Sequence, residues 1–314
     1  MLRTPEVEMI RRDDYWIGRF SAMASPCEVL LEGPSRQRAE RLTRVVAHEA
    51  LRIEHKFSRY RDDNVMARIN RAAGRTLEVD SETANLLDYA DNGHRLSDGL
   101  FDITSGVLRR AWRFDGGDQL PSRQTVEELL PYVGWQRVRW ERPYITLQPG
   151  MEIDFGGLAK EYAVDRSALL LRQHHDGGAV INFGGDIFVS GARRNGDPWV
   201  IAIDDPRESG RESVALVRLT RGGLTTSGDA RRFLLKEGVR YSHILDPKSG
   251  WPIADGPRSV SVVANSCMEA GMLSTFAMLQ GGDAALFLKA QKVPYWICWP
   301  RAVVETALAV SASR

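Results

Sequence analysis

Three short segments set glycine beside acidic or hydroxyl residues: DFGG (154–157), FGGD (183–186) and GGLTTSGD (222–229). Glycine lets a backbone approach a ligand and adopt positive φ, and bare N–H groups at a helix start can hold a phosphate. DFGG leads straight into a helical pattern, which makes it the best anion cradle of the three. None has the spacing of a dinucleotide fingerprint or a phosphate-binding P-loop. Singly, each reads first as a tight turn; together, at the ends of apparent strands, they point to one shared site. His243 lies in YSHILDPKSGWP (241–252), where the DPKSG turn puts it at a strand end facing a loop. Two readings stand for it: a general base, or a satisfied core histidine. His48 and His55 fall in a helical stretch and His174 and His175 precede a turn, so all four read as surface or packing residues.

These residues need elements to hold them. Cys27–Leu31 reads as a strand, followed by a long helical pattern from Ser35 to Lys56 with apolar residues at i, i+3 and i+4. Helical spacing returns over Ser81–Ser97 and over Thr125–Leu130, the second entered through Ser122. Val138–Leu147 reads as a hairpin broken at Arg142-Pro143. DFGG opens a helix over Leu158–Gln173, and Ala179–Gly191 reads as a strand interrupted by a glycine pair. Trp199–Asp205, Ser213–Thr220 and Ser259–Ala264 read as strands. The last feeds a helix in which Ser266 and Glu269 have capping-box spacing and Gly281-Gly282 marks the end. Strands and helices interleave without strict βαβ regularity. The expectation is an α/β or α+β fold: one elaborated domain of mixed sheet with packed helices over residues 23–314, behind an N-terminal extension over residues 1–22.

A chain of 314 residues buries a sizeable core, and 26% charged residues with 42 basic against 41 acidic argue against a broad nucleic-acid surface. Cys27, Cys267 and Cys298 are too few and too scattered for a disulfide framework or a CxxC zinc site, so they read as buried free thiols. The first 22 residues carry charges throughout and no apolar run, and no stretch approaches the ~18 apolar residues of a membrane helix. The expectation is a cytoplasmic protein without membrane insertion or nucleic-acid partners.

Read in order, FSRYRDDNVMARIN (57–70), DGLFDITSG (98–106), DFGGLAKEYAVD (154–165), INFGGDIFVSG (181–191), TTSGD (225–229), SHILDPKSGWP (242–252) and EAGMLST (269–275) resemble the ApbE family of flavin transferases. The likeness runs from about Met23 to near Gln280. It implies that FAD is the substrate and magnesium the cofactor. FAD is split at its pyrophosphate, AMP leaves, and FMN is esterified to a Thr or Ser of an acceptor protein. His243 is implied as the base, which suits a side chain that ordinarily titrates near ~6.5, with Asp246 as its orienter or as an alternative base. Met23 and Tyr60 are implied around FAD, Asp154 and Lys160 in the flavin-nucleotide segment, Ser227 in TTSGD, and Trp112 and Phe114 as aromatics packing on the cofactor.

The resemblance also implies a metal site that departs from the family pattern. That site combines a backbone carbonyl, here at Gly157, with an Asp and a Thr four residues apart on a helix. Thr275 is present, but Gly271 stands at the Asp position. Glu161 in turn stands where the family generally has glycine, one helical turn after Gly157. A glycine inside a helix costs about 1 kcal/mol relative to alanine, so Gly271 leaves room for something. The expectation is that Glu161 fills that room and completes a set of Gly157, Glu161 and Thr275. Asp165 lies four residues beyond Glu161, where like charges repel unless a cation is near. Two alternatives stay open: a magnesium-dependent FAD pyrophosphatase, and a non-catalytic FAD-binding or delivery protein.

Overall fold

The computed structural model describes residues 5–207, 213–230, 232–300 and 304–307. Strands β1 (Glu8–Arg11), β2 (Tyr15–Ala22) and β3 (Ser25–Glu32) form an antiparallel meander. Alternation dictates it, since Cys27, Val29 and Leu31 point to the core while the residues between them are more open. Of residues 1–22, read from the sequence as an extension, 8–11 and 15–22 are strands of the main sheet. Helix α1 (Arg36–Phe57) starts at Ser35, whose hydroxyl accepts from Arg38 N, and buries an apolar stripe against β2 and β3.

Next come α2 (Val65–Asn70), β4 (Leu77–Glu78), α3 (Ser81–Leu96), a 3-10 segment (Ile103–Arg110) and α4 (Arg123–Glu127). Strands β5 (Arg139–Glu141) and β6 (Tyr144–Thr146) flank Arg142-Pro143, and β6 pairs with both β5 and β4 in a small sheet. Helix α5 (Ala159–Arg172) then packs on α1, and β7 (Ala179–Phe183) joins β3. The glycine pair after β7 does not interrupt one strand. Gly184 and Gly185, at φ 62 and 102, turn the chain back into β8 (Asp186–Val189) as an antiparallel hairpin.

Strands β9 (Trp199–Asp204) and β10 (Ser213–Leu219) form a separate ribbon. Residues 222–229, which look like a glycine-rich loop, are mostly strand β11 (Gly222–Gly228), enclosed between β8 and β14 (Ser259–Ala264) once the hairpin β12 (Phe233–Lys236) and β13 (Val239–Ser242) has intervened. Gly223 is needed there for close approach, because a Cβ would lie 2.5 Å from the backbone of Ser266 and Cys267. Helices α6 (Cys267–Leu279) and α7 (Ala284–Gln291) follow, and β15 (Tyr295–Cys298) and β16 (Val304–Ala307) finish the sheet.

Among the described residues the main sheet has nine strands in the order β1-β2-β3-β7-β8-β11-β14-β15-β16, and each neighbouring pair runs antiparallel. Helices α1, α5 and α6 cover one face. The β9–β10 ribbon covers part of the other, packing Trp199, Ile201 and Ile203 onto Val180, Val189 and Trp296. Cys27, Cys267 and Cys298 are all buried free thiols. No helix among the described residues is long and apolar enough to cross a membrane.

Candidate active site

The tip between β2 and β3 carries Met23 and Ala24, both at φ 54, with no glycine to relieve the left-handed backbone. Such strain collects where a fold must present a tip in one shape. The tip packs on the β7–β8 turn: a Cβ on Gly184 would lie 2.7 Å from Ser25 Oγ and 3.9 Å from Lys160 Nζ. Lys160, in the first turn of α5, reaches Asp186 Oδ2 at 3.0 Å, an ion pair without hydrogen-bond geometry. Three sequence-distant segments thus meet at one ammonium.

Asp154 holds the DFGG turn. Its N–H donates to Ile103 O at 2.9 Å, Oδ1 accepts from Gly156 N at 3.0 Å, and Oδ2 takes the Arg59 guanidinium. Arg59 also donates to Tyr60 Oη at 2.9 Å and lies over the Tyr60 ring at 5.0 Å from its centroid, and Tyr60 is otherwise largely exposed. Leu158 N and Ala159 N both donate to Phe155 O, and Tyr162 N to Leu158 O. The Gly157 carbonyl lies ahead of that ladder, with no backbone donor among the described residues.

Glu161 is only 9% exposed, and its Oε2 has no partner. Burial pushes its carboxyl well above the ordinary range, helped by Asp186, and burial raises Asp186 as well. Its side chain lies over Gly271 of α6, where an added Cβ would be 2.7 Å from Glu161 Cγ and 3.0 Å from Oε1. Asp165 is not part of that cluster's unpaired charge. Its two oxygens accept from Cys267 N and Met268 N, each at 2.9 Å, so it docks α5 onto the N-terminus of α6. Thr275, one turn beyond Gly271, shares a 3.1 Å hydrogen bond with Ser227 Oγ, which also meets Ser274 Oγ at 2.8 Å. A carbonyl, an orphaned carboxyl oxygen and a hydroxyl are hard oxygen donors of the kind magnesium takes. Among the described residues no group of three His, Cys, Asp or Glu could hold a metal.

His243 follows β13 directly. Its Nδ1 lies 3.2 Å from Arg232 O, and its ring meets the Phe114 edge at 6.3 Å between centroids. Burial, reinforced by Arg232 and Arg59, pushes the imidazole down to about 4. It is neutral at pH 7 and has a lone pair to accept a proton. Asp246 is not brought onto it: Asp246 Oδ1 accepts from Lys248 N at 2.8 Å, and its backbone closes the turn with Trp251 and Gly250. Trp112 is buried, stacks on Phe114 at 5.3 Å and donates to Gly250 O at 2.9 Å, so it props the DPKSG turn and the Phe114 ring. A cavity of about 840 Å³ is lined by Asp98, Asp102, Gln136, Arg137 and Lys248, and neither Lys160 nor Glu161 is among its lining residues. Arg59 and Asp186 were not singled out from the sequence. Their only signal is adjacency, to Tyr60 and to the FGGD glycines.

The family model described as "ApbE family" matches residues 23–296. The chain is 30% identical over 246 residues to a FAD:protein FMN transferase of Haemophilus influenzae, covering 74% of this chain and 71% of that protein. It is 29% identical over 248 residues to one of Vibrio cholerae, covering 77% and 74%. Among solved structures, the ApbE protein of Thermotoga maritima superposes with a TM-score of 0.84 at 31% identity, over 93% of this chain and 97% of that one. Pseudomonas stutzeri flavinyl transferase ApbE in its apo form gives 0.81 at 26%, over 98% and 97%.

Proposed function

The chain belongs to the ApbE family, and from that premise we propose that it is a magnesium-assisted FAD:protein FMN transferase. FAD lies along the strained tip at Met23, the DFGG turn and Lys160, with Tyr60 and Phe114 flanking the flavin and Ser227 lining the floor. Arg59, held by Asp154, and Lys160, held by Asp186, neutralise the diphosphate. A hydroxyl of a Thr or Ser on the acceptor protein attacks the FMN phosphorus. The bond from that phosphorus to the bridging oxygen breaks, AMP leaves with the oxygen, and the hydroxyl proton passes to His243 Nε2. Magnesium, when held by the Gly157 carbonyl, Glu161 and Thr275, supplies charge neutralisation at the transferring phosphate.

What supports this reading is the Arg59–Asp154 ion pair, which grips the DFGG turn, together with an imidazole held by Arg232 O beside Phe114 at the end of β13. The test is FAD turnover by the purified chain with an acceptor protein, in magnesium or in EDTA. Magnesium-dependent AMP release with FMN on the acceptor is expected. AMP with free FMN and an unmodified acceptor would replace the transferase by a pyrophosphatase. FAD bound but uncleaved in both conditions would leave a carrier.

A further inference from the structure

Position 271 is a glycine in the interior of a buried helix, where alanine would be the favourable choice. Its cause is visible across the helix interface. The Glu161 side chain crosses from α5 and occupies the volume a side chain at 271 would need, with Cγ, Oε1 and Cδ at 2.7, 3.0 and 3.2 Å from the missing Cβ. Cγ is not the free end of a flexible chain, so the two positions cannot both carry side chains in this packing. The volume therefore holds one carboxylate, delivered from α5. That carboxylate is buried with Oε2 unpartnered, and its buried neighbour Asp186 has an oxygen without a hydrogen bond. Lys160 pairs with Asp186, while Glu161 Oε2 has no hydrogen-bond partner among the described residues, a buried polar atom that a bound cation would satisfy.

We infer that positions 161 and 271 form a reciprocal pair, in which Gly271 vacates α6 so that Glu161 can present the cation's carboxylate from α5. The inference rests on the cation-assisted reading above and adds which helix supplies the ligand and what permits it. It requires that the pair can be reversed: Glu161→Gly with Gly271→Asp puts a carboxylate back into the same volume from the opposite helix.

The experiment is a thermal melt of the full chain without FAD, in EDTA and in MgCl2 or MnCl2, with calorimetric titration of each cation. The native chain should melt at a higher temperature with cation. Glu161→Gln, which keeps size and removes charge, should lose that shift and weaken cation binding at least tenfold. Gly271→Ala should do the same by displacing Glu161, and the reversed double variant should recover most of both. A native chain with no cation-dependent shift overturns the pairing, as does Glu161→Gln with native cation affinity or a well-folded double variant that recovers nothing. The two readings fail separately. Cation binding that follows this pattern without FAD cleavage would sink the transferase and keep the pair, whereas magnesium-dependent transfer by Glu161→Gln at native cation affinity would do the reverse.

Discussion

The His243 ring is neutral well below physiological pH because burial, reinforced by Arg232, pushes it down to about 4. Protonation removes the lone pair that takes the hydroxyl proton, so the activity that depends on this base should be lost as pH falls through that value. The acid limb of kcat/KM reports the free enzyme and should lie near pH 4, with a flat profile from pH 6 to pH 7.5 on the scale of an ordinary histidine near ~6.5. His243→Ala should lower transfer by ~10²- to 10⁴-fold with FAD affinity, read by flavin fluorescence, kept. A limb near 6.5 in the native chain would place the base elsewhere. Asp246→Ala should act on the turn instead, costing about 1 kcal/mol in a denaturant melt through the lost bond to Lys248 N and leaving the pH limb in place. A moved limb would show that Asp246 does orient the imidazole. His243 and DFGG were legible in the sequence because a histidine before a turn and paired glycines before a helix are chemically unusual. Arg59 was not, being one of 42 basic residues whose partner, Asp154, is fixed only by the fold.

Glu161 and Thr275 stand on two helices, α5 and α6, whose relative placement depends on Asp165. It accepts from Cys267 N and Met268 N beyond the Ser266 cap, where a negative charge also meets the positive end of α6. Asp165→Ala should cost about 1–2 kcal/mol, the range of a lost helix cap, measured by urea denaturation. It should also weaken magnesium binding, since Thr275 rides on the helix that loosens. Gly223→Ala should cost about 1–3 kcal/mol, typical of overpacking, because the atoms its Cβ strikes are backbone of Ser266 and Cys267. An unchanged melt would show that β11 and α6 can move apart. Helix starts were readable here, since α1 begins just after Ser35, where its pattern starts, and Ser266 caps α6 where its spacing predicts. Strand β11 was not. Its Gly, Thr and Ser content reads as loop, and its strand state comes from enclosure between β8 and β14 rather than from local preference.

The sheet makes one molecule of segments that looked separable. Deleting residues 1–22 would remove β1 and β2, take away Phe20 and its contact with Phe183, and uncover the α1 face beneath. The shortened chain is expected to lack a cooperative melt by circular dichroism, although the family match begins at residue 23. A native-like melt would show that the meander is dispensable. The overall class was legible because alternating and helical periods follow one another along the chain, whereas strand order was not, since it is set by pairings such as β3 with β7 across some 150 residues. The three sealed thiols turn this architecture into a clock. Cys27 sits in β3, Cys267 at the start of α6 and Cys298 in β15, each out of reach of solvent. A thiol reagent can modify them only when the surrounding structure opens, so the modification rates time the opening of three regions independently. Slowing at Cys267 alone on adding FAD or magnesium would locate ligand-induced closure at the head of the helix that bears Thr275.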